Sequence, residues 1–317
     1  MSSMETFGGR IGFTHEESEP HWDPPLPSHD GKSPNVLLVL LDDTGFGNLG
    51  CFGSTIETPN MDRLAENGLR YSNFHVTPLC SPTRASLLTG RNHHSVGMGA
   101  IANLHDSGYP NLRALLSRNS ATLAEMLRDE GYSTFALGKW HLNPTEHNSA
   151  AGPRNGWPLQ RGFDRYYGFL PGSTDQYYPE LTYDNHPVYP PKTPEEGYHV
   201  TEDLVDRAIG FISDQKSIYP NMPFFMYFAL GAMHFPHQVP KKYIDKYKGR
   251  FDEGWDIIRQ QYFDRQLELG IIPEGTKLPP RNPGVKAWEE FEENEKKFMC
   301  RLQETWAGFL EHTDEQL

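Results

Sequence analysis

The chain has 317 residues, 37% hydrophobic and 12% aromatic, with a formal net charge of −13. That length supplies ample core for one large α/β domain or two ordinary ones. The acidic balance argues against nucleic acid and anionic membrane as partners, since both need basic surface. Three cysteines, Cys51, Cys80 and Cys300, are too few and odd in number for a disulfide framework, which points to a reducing compartment. The opening MSSMETFGGRIGFTHEESEP has neither the basic nor the apolar part of a secretory signal, and no stretch is apolar for long enough to span a bilayer. The expectation is a cytoplasmic protein with no membrane segment.

In chain order, residues 1–34 are rich in Pro, Glu, Ser and His and read as an extended peripheral arm. NVLLVLL from Asn35 is apolar on both faces, as a central parallel strand is. A helix follows, opened by Thr58 or Asn60 as cap. A second helix, TLAEMLRDEG, starts at Thr122 with a capping box to Glu125 and stops at Gly131. YSTFALG from Tyr132 is the next strand. Residues 143–200, with many Pro, Gly and Tyr and little periodicity, read as a loop-rich insertion over the sheet, a rim for a pocket. A helix over about 201–215 then leads to a third apolar strand, PFFMYFAL from Pro223. Strands alternating with helices predict an α/β fold with a mainly parallel sheet and helices on both faces, its main domain spanning 35–317. From about Ala287 a helical stripe of Phe291, Phe298, Leu302, Trp306, Phe309 and Leu310 runs to Leu317 without a stop signal. That pattern raises the expectation of a chain truncated at its C-terminus.

Ligands of open parallel sheets bind beyond the carboxyl ends of the strands. Here the three strands deliver Asp42 and Asp43, then Lys139, Trp140 and His141, then His234 to one edge. Adjacent carboxylates repel unless a cation sits between them, and hard oxygens suit Ca²⁺ or Mg²⁺; an Asx-type turn in DDTG is the structural alternative. In Cys80-Ser81-Pro82-Thr83-Arg84, Pro82 suits the first turn of a helix. Cys80 then lies at the positive end of that helix, where an anion is favoured, with Arg84 one turn on. Taken alone, without the surrounding pattern, Cys80 reads as an ordinary buried thiol, the usual fate of a lone cysteine.

CSPTR followed by LLTGR resembles the signature of type I sulfatases, C-x-P-x-R…T-G, whose Cys is converted to formylglycine. The segment Gly131-Tyr132 to Gly138-Lys139-Trp140-His141 resembles the second signature of that family. PNVLLVLLDDTGFGNLGCFG…TPNMDRLAENG resembles its opening, and MHFPHQVPKKYIDKYKGRFD is similar to the large bacterial arylsulfatases. The resemblance implies an alkaline-phosphatase-like fold and hydrolysis of small sulfate esters. It implies Ca²⁺ (Mg²⁺ as the alternative) on Asp42, Asp43 and residue 80. Cys80 is implied as the formylglycine precursor, which requires a formylglycine-generating enzyme as partner. Arg84 is implied to steady the formylglycine, Lys139 and His234 to bind sulfate or protonate the leaving oxygen, and His141 to help release sulfate from a covalent intermediate.

The family's later Asp-Asn metal ligands, second active-site lysine and smaller C-terminal domain have no counterpart here; Asp184-Asn185 is followed by His186 and is not promoted. The resemblance therefore covers the N-terminal part of a sulfatase, expected to be a poor enzyme and a weak metal binder by itself. A phosphonate monoester or phosphodiester hydrolase of the same superfamily and a catalytically dead sulfatase-like protein are the alternatives. His93 and His94 read as entrance or structural residues, His237 as a surface or supporting group, Cys51 and Cys300 as packing thiols. Tyr166, Tyr167, Tyr177 and Tyr178 read as an aryl-stacking set or as loop packing.

Overall fold

The computed structural model describes residues 7–22, 29, 31–104 and 106–317. Its strands are β1 (Val36–Leu40), β2 (Ser133–Lys139), β3 (Arg165–Phe169), β4 (Leu181–Tyr183), β5 (His186–Val188) and β6 (Phe224–Ala229). Among the described residues they form one sheet in the order β1-β6-β2-β3-β4-β5. The first three pairings are parallel, and β3-β4 and β4-β5 are antiparallel. The expected mainly parallel α/β sheet is therefore present.

Burial explains the order. FFMYFA of β6 is buried along its whole length, and β2 along all but its first residue, so both take central places. Their side chains alternate between two cores. Phe224, Met226 and Phe228 face one core with α4 (Val200–Ile218) and α7 (Glu293–Gln316). Phe225, Tyr227 and Ala229 face the other with α2 (Cys80–Thr89) and α3 (Leu123–Asp129). Helices cover both faces.

Several expectations need correction. NVLLVLL does not form a central strand: β1 is the edge of the described sheet, with Val36, Leu37 and Val39 exposed. The segment 143–200 is not only a loop over the sheet, since it supplies β3 and the β4-β5 hairpin. Asp184-Asn185 forms the hairpin turn, where Asp184 pairs with Arg165 at 3.1 Å. Two helices carried no clear periodic signal, α5 (Lys241–Lys246) and α6 (Gly254–Glu268), the latter half-buried to exposed along nearly all its length. The last helix begins at Glu293, behind a short turn at Trp288–Glu290. Of the arm, 7–22 is largely exposed and closed on itself by an Arg10–Glu19 bridge.

The capping box opens α3 as expected: Glu125 N donates to Thr122 Oγ1 and Thr122 N to Glu125 Oε2. In α1 (Pro59–Glu66), Thr58 holds the N-cap position without a capping bond. Asp314 of α7 does that work, accepting from the Asn60 and Met61 amides at 3.0 and 2.8 Å.

Candidate active site

The parallel ladder continues past the strand ends. Leu230 N donates to Leu40 O, Asp42 N to Ala232 O and Met233 N to Asp42 O, which holds the segments after β1 and β6 side by side. On the other flank, Trp140 N donates to Phe169 O and His141 N to Leu170 O. Gly138 lets the backbones meet, because a Cβ there would lie 1.9 Å from Ala229 O. Residues just beyond three strands are thus fixed on one edge.

Asp42 is buried and lies between two buried cations, bonded to Lys139 Nζ and 3.5 Å from Arg84 Nη2. Arg84 also donates to Lys139 O at 3.0 Å and to Tyr227 Oη at 3.1 Å, so one guanidinium from α2 ties β2, β6 and the segment after β1 together. Its Nε is buried without a partner. Burial, then the neighbouring Arg84 charge, pulls Lys139 below the ordinary lysine range.

Cys80 opens α2, its Sγ 3.2 Å from His141 Nδ1. His141 Nε2 lies 2.6 Å from Asn103 Oδ1. Burial and the Lys139 and Arg84 charges lower His141 to about 2, so the ring is neutral. His234, after β6, places Nε2 3.9 Å from Asp43 Oδ2, and its Nδ1 bonds to Phe235 O. Asp43 adopts φ 49° and turns its carboxylate outward, leaving the side chain 61% exposed. Asp42, Lys139 and Arg84 form one contact set and Cys80 and His141 another, with the Lys139 and Arg84 charges acting on His141 and with Asp43 and His234 forming a further pair.

The sulfatase family profile matches residues 34–317. The chain belongs to the sulfatase family.

Among its relatives, an uncharacterized sulfatase of Schizosaccharomyces pombe is 35% identical over 301 residues, covering 90% of this chain and 53% of that protein. The Klebsiella aerogenes arylsulfatase is 29% identical over 296 residues, covering 90% of this chain and 61% of its own length. The sulfatase-family chain thus spans little more than half the length of these relatives. The crystal structure of yidJ from Bacteroides fragilis superposes with a TM-score of 0.66 at 22% identity, covering 89% of this chain and 56% of that one, a likeness of fold.

The donor set bears on a metal in this sulfatase-family chain. Among the described residues, no three His, Cys, Asp or Glu side chains are grouped to hold an ion. Asp42 and Asp43 supply two carboxylates against the roughly six to eight oxygens that Ca²⁺ takes, and Asp42 is already neutralised by cations. These residues alone do not make a Ca²⁺ site.

The remaining residues settle into structural places. His93 Nδ1 bonds to Met98 O, and the exposed His94 stacks against the His93 ring. Burial pushes the Cys51 and Cys300 thiols up to about 11, as inert packing thiols require. Tyr166 and Tyr167 are core residues, bonded to Gly138 O and Asp203; Tyr177 packs edge-on to His199 and Tyr178 is exposed. Asn103 and Tyr227 join the site without any sequence signal. Asn103 sits in an aperiodic loop, and Tyr227 reads as one more apolar residue of β6. A cavity of about 760 Å³ lies elsewhere, between α6 and α7, lined by Trp255, Tyr262, Trp288 and Trp306. Its lining also includes Asn48 and His237, whose ring is held below its ordinary range by burial. No helix among the described residues is long and apolar enough to cross a membrane.

Proposed function

We propose that this chain carries the nucleophile-bearing half of an arylsulfatase-type active site, with residue 80 as the attacking group and a small sulfate ester as substrate. The observation that carries the reading is the surplus of positive charge beside Cys80. Two buried cations, Lys139 and Arg84, share the single buried carboxylate of Asp42. The unmet charge favours an anion at the mouth of α2, and the helix terminus adds to the pull. Such fixed charges stabilise negative charge spreading over sulfuryl oxygens during transfer.

His141 is neutral and 3.2 Å from residue 80, suited to hold or accept a proton there. His234, at the Asp43 side, is assigned to the leaving oxygen, to which a protonated imidazole would donate. Conversion of Cys80 to formylglycine by a formylglycine-generating enzyme would supply a hydrated aldehyde as oxygen nucleophile. A divalent cation, Ca²⁺ or Mg²⁺, is proposed on Asp42, Asp43 and residue 80, and needs oxygen ligands beyond these.

The test is co-expression with a formylglycine-generating enzyme. The Cys80 peptide should lose roughly 18 Da, and the converted protein should hydrolyse an aryl sulfate while Cys80→Ala does not. A Cys80 peptide left unmodified beside a converted control would overturn the nucleophile. Hydrolysis of phosphonate monoesters but not aryl sulfates by converted protein would overturn the substrate class.

A further inference from the structure

We propose that Asn103 is a positioning residue for the chemistry at residue 80: its side-chain oxygen decides which nitrogen of His141 carries the proton and leaves the Nδ1 lone pair facing residue 80. This rests on the reading of residue 80 as the reacting position.

A neutral imidazole has one N–H, and its place is set by the hydrogen bond the other nitrogen makes. Asn103 Oδ1 can only accept. At 2.6 Å from His141 Nε2 it therefore requires the hydrogen on Nε2. Nδ1 is then the acceptor, and it is the atom 3.2 Å from Cys80 Sγ. The reverse tautomer would aim an N–H at residue 80 and leave the ring unable to take a proton from it.

Asn103 is held for this task from three sides. The preceding amide, Ala102 N, donates to buried Ser81 Oγ at 3.0 Å, anchoring the loop to the residue beside Cys80. Thr145 Oγ1 donates to Asn103 O at 3.2 Å. Gly172 keeps clear the space over the pair, since a Cβ there would lie 2.7 Å from His141 Nε2 and 3.2 Å from Asn103 Oδ1. Asn103 itself is exposed, so its replacement costs the core nothing.

The experiment is ¹⁵N spectroscopy of His141 in histidine-labelled protein with Cys80 in its thiol form. The wild type should show a fixed Nε2–H tautomer. In Asn103→Ala the two nitrogen shifts should move toward each other as the ring samples both tautomers. Asn103→Asp, which keeps the accepting oxygen, should retain Nε2–H. Gly172→Ala should reproduce the Asn103→Ala spectrum by crowding the pair, with folding checked by its melting curve. In converted protein, Asn103→Ala should lower kcat about 10- to 100-fold, the usual range for losing a group that orients a histidine, with KM nearly unchanged. An Nδ1–H tautomer in the wild type, or a His141 spectrum unmoved by Asn103→Ala, overturns the proposal. Converted wild-type protein without sulfate-ester turnover would instead overturn the function proposed above and leave the tautomer result standing.

Discussion

Asp42 receives Lys139 and lies within reach of Arg84 with almost no solvent to share the load. Removing one partner from a buried ionic cluster leaves the others uncompensated, which costs about 3–5 kcal/mol. Asp42→Asn should therefore lower the melting temperature sharply. Sulfate should restore more stability to this variant than to the wild type, because an anion can replace the lost carboxylate. Thermal melts in sodium sulfate and in chloride of equal ionic strength check this, with the wild-type increment removing the general salt effect. Equal increments would show that the cations do not bind anions. At this scale the sequence was partly legible. Asp42, Asp43, Lys139, His141 and His234 could be placed because they follow apolar runs, and strand ends point one way. Arg84 followed from helix spacing. The contact between Asn103 and His141 was hidden, since it joins a loop to a strand end 38 residues away with no pattern in between.

Between elements, α4 and α7 meet through a buried pair of histidines. His199 caps α4 by accepting from Thr201 N at 3.2 Å and bonds to Gln238 O at 3.0 Å. His312 of α7 reaches Glu202 at 3.0 Å, and the two rings stand 4.5 Å apart, edge to face. Burial, then the neighbouring His312, lowers His199 from 6.5 to about 4; Glu202 and Asp175 act in the opposite direction. His312 is also lowered, chiefly by burial. The unfolded chain thus binds these protons first as the medium acidifies. Stability is fully present above about pH 6.5, falls below it, and levels near pH 4, with His199 alone costing about 3 kcal/mol. Denaturant titrations across that window should show the slope, and His199→Asn, which keeps a capping acceptor, should flatten it. An unchanged slope would place the acid sensitivity elsewhere. The capping box of α3 was legible because it is local. The position of β1 was not: an apolar pentapeptide specifies burial, whereas its neighbours decide whether burial is met.

Across the whole molecule, β1 has a strand beside it on one side only among the described residues. Val36, Leu37 and Val39 lie exposed on the edge strand, and Leu69, Tyr71, Phe74 and Val76 are exposed in the segment before α2. Unpaired apolar edges template pairing with other chains. This chain should associate as its concentration rises, and Leu37→Lys together with Val39→Lys should reduce association in sedimentation or light scattering. Undiminished association in that double variant would place the contact elsewhere. Phe298 and Leu302 of α7 are also exposed, while Phe309 and Leu310 are fully covered, so the apolar stripe read from the sequence divides in two. A periodic stripe names a face but not how far along it the cover extends.

The burial of the segment around Cys80 sets an order in time. Ser81, Pro82 and Arg84 are enclosed, and Arg84 is bonded to β2 and β6 and paired with Asp42 beyond β1. An enzyme that reads Cys80, Pro82 and Arg84 as a linear tag cannot grip them once α2 has docked. Under the function proposed above, conversion would therefore compete with folding for the same five residues. On that proposal a chain that folds first would lock its thiol in place, and the yield of modified protein would be a ratio of two rates. Slowing synthesis or cooling the culture, with the converting enzyme present, would shift that ratio without altering a single contact in the finished protein.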